Sequence, residues 1–302
     1  MPSWGDVLNK LNNVPNPLDE MRRKYLNIMN KYTNRNVIAY YSGFIQKPQL
    51  DETGIDDNDK NAFMQAVCGM DRSKGLDLIL HTPGGRLSAA ESIVHYLKEL
   101  FGRDIRTFVP QIAMSAGTMI ALSTKEIVMG KQSNLGPIDP QFGGMSCAGI
   151  IEEFEEASKA VSENINLSAV WGPIISKYHP TFIGDCKKSI IWSETTVKKW
   201  LKENMFADCD DGEKNAQKVV SALSSHDATF SHSKHIHANE LIDLKVRIKM
   251  LEDLDRRKLE GCEDLQDCVL TIHHAYMQTL VSTNAVKITE NHLGNAMIIN
   301  LS

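Results

Sequence analysis

Ser115 is the residue whose surroundings most suggest chemistry. It closes the run Val109-Pro110-Gln111-Ile112-Ala113-Met114 and opens the small-residue stretch Ala116-Gly117-Thr118, where a strand gives way to a helix. A serine there stands at the positive end of a helix with the Ala116 N–H beside it. Some thirty positions earlier, Leu76–Leu80 ends at His81 and is followed by Thr82-Pro83-Gly84-Gly85. Glycines at such a turn permit positive φ and leave backbone amides uncovered, so Gly84 and Gly85 can point N–H groups at an oxygen. Taken singly, the glycines read equally as a plain tight turn and the serine as a helix N-cap. Taken together, with one strand between them, they build a nucleophile facing amide donors, which is what acyl transfer needs.

The elements that must hold these two elbows follow from apolar patterning. Short runs rich in branched and aromatic residues predict strands at Val37–Tyr41, Leu76–Leu80, Ile105–Val109 and Ile127–Met129. Helical patterns at 58–70, 87–102 and 115–123 alternate with them, which predicts an α/β fold with a mostly parallel sheet. Over residues 4–32, Leu8, Leu11, Met21, Tyr25, Ile28 and Met29 recur at helical spacing around Pro15 and Pro17, predicting two short N-terminal helices. From 148 to 222 the pattern is helical, with loops expected at 171–185 and 207–213. A polar, histidine-rich segment fills 224–237, long helices are expected over 238–281, and Ala285–Ile288 with Ala296–Leu301 form a possible terminal hairpin.

HTPGG, MSAGTMIAL and LGPIDPQFGG together resemble the strand-turn, nucleophile and following-strand signatures of the ClpP and signal-peptide peptidase A serine peptidases. The resemblance is closest to the SDH proteinases (serine dehydrogenase proteinases) of the ClpP/crotonase superfamily, and it covers about residues 36–245. It implies a ClpP/crotonase-like superhelix of ββα units, with helices added at both ends. It also implies Ser115 as nucleophile and the Gly84, Gly85 and Ala116 amides as oxyanion hole. The expected division is a helical appendage over 1–35, a peptidase domain over 36–245, and a C-terminal helical extension over 246–302.

One departure concerns the base. Where ClpP carries histidine in Ile-His-Gln-Pro-Leu-Gly-Gly, this chain has Ile138-Asp139-Pro140-Gln141-Phe142-Gly143-Gly144, so the ClpP triad does not transfer. A carboxylate is too weak a base to deprotonate serine alone, but it can hold a histidine in the needed tautomer. The SDH order of Ser, Asp and His implies Asp139 together with His232, whose Ser231-His232-Ser233-Lys234 resembles that family's Ser-His-Gly-Arg-like stretch. The rival is Lys159, at a position comparable to the lysine base of the signal-peptide peptidase A group. Glu152, Glu153, Glu155 and Glu156 crowd that helix, and nearby carboxylates raise a lysine pKa rather than lower it.

Composition narrows the functional classes. Apolar residues make up 42% of the 302 and charged residues 24%, as in an ordinary globular protein. The net charge of −5 supplies no field to gather a phosphate backbone, so nucleic acid is not an expected partner. Six cysteines without a CxxC pair fit a reducing compartment, and His226, His232, His235 and His237 lack a Cys or Glu at ligand spacing, so no metal or other cofactor is expected. Met1–Asn16 has no secretion-signal pattern, and Ile112–Leu122 is too short to cross a bilayer, which needs roughly 20 residues. The expectation is a cytoplasmic, homo-oligomeric serine endopeptidase acting on peptide or protein substrates, with an ATPase partner left open. A catalytically silent ClpP-like scaffold and a crotonase-like acyl-CoA enzyme are the alternatives.

Overall fold

The computed structural model describes residues 17–225, 231–254, 257–258 and 261–301. The first of the two expected N-terminal helices, and His226, lie outside these residues. The strands are, in chain order, β1 (Asn36–Ser42), β2 (Leu76–His81), β3 (Ile105–Val109), β4 (Ile112–Ala113), β5 (Glu126–Met129), β6 (Asn134–Leu135), β7 (Gln141–Phe142), β8 (Met145–Ser146), β9 (Ile236–His237), β10 (Ile248–Met250), β11 (Ala285–Asn291) and β12 (Ala296–Asn300). Seven form the central sheet in the order β10-β5-β3-β2-β1-β11-β12. From β10 to β1 neighbours run parallel; β11 and β12 are antiparallel additions at one edge.

The central strands are continuous apolar runs because both faces of the sheet are covered. Ile38 and Tyr40 of β1, with Leu76, Leu78 and Leu80 of β2, join the core beneath helices Leu87–Phe101, Ala116–Leu122, Phe182–Glu203 and Gly212–Ser224. Val37, Ala39 and Tyr41, with Ile79, face the opposite core, closed by helices Pro17–Thr33 and Leu265–Ser282. The period-2 alternation of a strand thus divides one sequence run between two layers.

Two stretches differ from their sequence reading. The expected loop 171–185 is narrowed from both sides: helix Ser168–Ile175 continues past Pro173 by two residues, and helix Phe182–Glu203 begins within it. The expected long helices over 238–281 are only partly formed: helix Ala238–Asp243 is short, and Ile248–Met250 adds β10 to the sheet edge beside β5. Only Leu265–Ser282 is long. A strand of three residues gives no readable periodicity inside such a segment.

At the end of β2, His81 is buried among Tyr41, Phe44 and His273, with ring centroids 5.5, 5.0 and 5.4 Å away. Burial pushes its pKa down to about 3, and burial, followed by His81 and His274, holds His273 well below the ordinary value. The folded chain therefore refuses protons that the unfolded chain takes up below the ordinary histidine value. Stability present above that value is lost as pH falls toward 3. Each such histidine contributes a slope of about 1.4 kcal/mol per pH unit. Denaturant titrations between pH 6 and 4 should show a shallower acid loss in His81→Leu by about that amount. Parallel curves for the two proteins would contradict the assignment.

Candidate active site

The loops after β2 and β3 are stitched together by their backbones. Thr82 N–H donates to Ile112 C=O at 3.2 Å, and Met114 N–H donates to Thr82 C=O at 3.0 Å. This brings Gly84 against Ser115 so closely that a Cβ at 84 would stand 2.6 Å from Ser115 Cβ and 2.7 Å from Met114 C=O. Gly84 also has φ +100°, so glycine is required there twice over. Ser115 itself adopts φ 51°, ψ −119°, a strained conformation for a residue with a side chain. It precedes helix Ala116–Leu122, but its hydroxyl makes no capping hydrogen bond to that helix. Ser115 thus holds the N-cap position without capping the helix by its side chain, and the residue lines a cleft.

Of the three amides read from sequence as oxyanion donors, the Gly84 N–H is already engaged by Thr82 Oγ1 at 3.2 Å. No acceptor for the N–H groups of Gly85 and Ala116 is found among the described residues. Ile55 determines where Gly85 faces. Ile55 N–H donates to Gly84 C=O at 2.7 Å and Arg86 N–H donates to Ile55 C=O at 2.8 Å, a parallel bridge that grips the chain on both sides of Gly85. The approach leaves no room for a side chain, since a Cβ at Gly85 would lie 2.2 Å from Ile55 N. With its flanking groups turned toward Ile55, the Gly85 N–H is turned the other way, as alternate residues of a ladder are.

Asp139 and His232 are brought together from 93 positions apart, with His232 Nδ1 2.8 Å from Asp139 Oδ1. The carboxylate is buried and the imidazole is partly exposed. In the tautomer that places the proton on Nδ1, the contact is a hydrogen bond donated to the carboxylate, and the lone pair then lies on Nε2. Asp139 is anchored by its neighbour: Ile138 N–H donates to Leu223 C=O, and Ser193 Oγ donates to Ile138 C=O at 2.7 Å. Ser115, Gly85, Ala116, Asp139 and His232 all line one cleft of about 790 Å³. Its walls include Ile55, Met119, Phe142 and Trp192, none of which was singled out from sequence. Lys159 is exposed on helix Cys147–Glu163 and is not among the cleft residues. Among the described residues, no group of three or more His, Cys, Asp or Glu side chains could hold a metal ion.

A family model described as ClpP-like SDH-type serine proteinase matches residues 19–253. The uncharacterized protein MJ1495 of Methanocaldococcus jannaschii is 28% identical over 190 residues, which is 63% of this chain and 57% of that protein. The uncharacterized protein MJ0137 of the same organism is 37% identical over 114 residues, 37% of this chain and 40% of that one. The chain thus spans less than two thirds of either relative. Among solved structures, a mutant of the 1510-N membrane-bound stomatin-specific protease is similar at 14% identity and a TM-score of 0.40, over 67% of this chain and 76% of that chain.

Crowding separates Gly84 from those glycines of positive φ that have open space around them. Gly143 has φ +57° with nothing near its missing Cβ, so Gly143→Ala should cost about 1–2 kcal/mol of stability for the backbone alone. Gly84→Ala must in addition push the Ser115 elbow aside, and denaturant unfolding should show a clearly larger loss. Equal losses for the two variants would contradict the close approach.

Proposed function

The chain belongs to the ClpP-like SDH-type serine proteinase family, and on that premise we propose that it cleaves peptide bonds through an acyl-enzyme on Ser115. The observation that carries the reading is the His232–Asp139 pair lining the same cleft as a strained serine whose hydroxyl is not spent on a cap. In this reading the substrate carbonyl enters between the Gly85 and Ala116 amides. His232 Nε2 takes the Ser115 proton as the Oγ–C bond forms, and Asp139 stabilises the resulting imidazolium. The two N–H groups stabilise the oxyanion of the tetrahedral intermediate. The imidazolium then gives its proton to the departing amine as the C–N bond breaks. Water, deprotonated by the same histidine, cleaves the ester and returns Ser115 to its starting state. Gly84 has a different part here from that of a donor: it lets the glycine loop approach the nucleophile.

The acidic side chains Asp51, Glu52 and Asp56 line the cleft beside a single arginine, Arg86, a setting that favours a peptide over the phosphates of an acyl-CoA. Self-association belongs to the same proposal. It is supported by Ile165, Val170 and Ile191, which are exposed on the helical segments beyond β8. No helix of the described residues is long and apolar enough to cross a membrane.

A fluorophosphonate probe should label the wild-type protein at Ser115 and leave Ser115→Ala unlabelled. His232→Ala and Asp139→Asn should each lower kcat/KM on a cleavable peptide by about three orders of magnitude or more. The double variant should be little worse than the poorer single one, because the groups act as a unit. Labelling of a folded His232→Ala variant at the wild-type rate would refute the base. No labelling of the wild type would favour the scaffold reading instead. If Lys159→Ala proved the inactivating change, the base would be the lysine.

A further inference from the structure

Lys287 lies on β11, beyond the residues 19–253 that match the family. Its side chain is almost wholly buried, an environment that a lysine tolerates only when its ammonium is paired and hydrogen-bonded. Nζ donates to Gly54 C=O at 3.0 Å, to Asp56 Oδ2 at 3.2 Å and to Asp59 Oδ2 at 2.9 Å. Asp59 Oδ2 also accepts from Asp56 N–H at 2.9 Å and from Tyr40 OH at 3.1 Å. Burial raises the Asp59 pKa, and Lys287 opposes that shift.

The ammonium therefore grips residue 54 by its carbonyl and residue 56 by its side chain. Between them stands Ile55, whose N–H and C=O clamp the chain on either side of Gly85. The geometry is a lever: from β11, paired to β1 with Lys287 opposite Ser42, the Lys287 side chain holds the segment that lies against the glycine loop. Ser42 Oγ donates to Thr53 C=O at 2.7 Å and steadies the same segment from β1.

We propose that Lys287 is a positioning residue for the oxyanion hole, fixing the direction of the Gly85 N–H through the Ile55 backbone. The proposal rests on the serine-peptidase reading above, and it makes the C-terminal hairpin part of the catalytic apparatus rather than an accessory. An oxyanion donor acts only where the developing negative charge will be, so small rotations of Gly85 should reduce turnover while barely altering ground-state binding.

The test uses Lys287→Met and the double variant Lys287→Met/Asp59→Asn in the full chain. Lys287→Met alone strands the buried Asp59 carboxylate and should lower Tm, whereas the double variant removes that charge as well, leaves only the partly exposed Asp56, and should recover most of that loss. Neither variant restores the grip on Gly54. Positioning therefore predicts that the double variant, though stable, labels with a fluorophosphonate about tenfold or more slower than wild type, with kcat lowered and KM little changed. Its Ile55 amide should also exchange with deuterium faster, since the hydrogen bond to Gly84 C=O is no longer held. A stable double variant with wild-type labelling rate and wild-type Ile55 exchange would overturn the proposal. If the wild type itself resists the probe, the peptidase reading fails, and Ile55 exchange still decides whether Lys287 holds the loop.

Discussion

The structure depends on the approach of two backbones at a distance that no side chain would survive. Gly84 lies against Ser115 with room for a hydrogen but not for a methyl group, and Gly85 lies against Ile55 in the same way. Three chain segments, the loop after β2, the elbow after β3 and the segment around residue 55, are thereby packed main chain to main chain. The sheet exists to make this possible. Parallel strands β2 and β3 end side by side, so the loops that leave them must meet at one edge. Strain at Ser115, on the order of 1–3 kcal/mol for such a conformation, is tolerated because the surrounding hydrogen bonds over-determine it.

The cleft is completed from distant parts of the chain. Asp139 follows β6 and is nearly inaccessible, while His232 precedes β9, which pairs with β6. The pairing of Leu135 with Ile236 brings the two side chains close enough for a 2.8 Å contact. Burial on one member and partial exposure on the other suits their proposed parts. The carboxylate is buried on a backbone anchored at Ile138, and the imidazole is partly exposed at the cleft.

Much of this was legible in the sequence, for identifiable reasons. The four central strands are read from Val37–Tyr41, Leu76–Leu80, Ile105–Val109 and Ile127–Met129 because strands buried on both faces are unbroken apolar runs. Ser115 and the glycine pair are legible because strand–glycine–helix and strand–serine–small-residue helix are local patterns. The Ile55 clamp is not, because it acts through backbone atoms that every residue possesses. Nor is the hydrogen bond from Gly84 N–H to the hydroxyl of Thr82, which leaves two of the three candidate amides without an acceptor among the described residues. Choosing His232 among several neighbouring histidines needed a resemblance, since nothing in Ser231-His232-Ser233 announces a partner 93 positions away. The three-residue edge strand β10 is not legible, because its pairing with β5 is a tertiary decision.

The central claim is that the Gly85 and Ala116 amides, and not that of Gly84, face the charge that develops when Ser115 attacks. A crystal structure of the protein inactivated by a fluorophosphonate tests this most directly, because the tetrahedral phosphonyl group imitates the intermediate. The account predicts phosphorus bonded to Ser115 Oγ, with its non-bridging oxygen about 2.7–3.1 Å from the nitrogens of Gly85 and Ala116. The Gly84 N–H should still be donated to Thr82. An adduct on another residue, or an oxygen turned away from both amides, would contradict it.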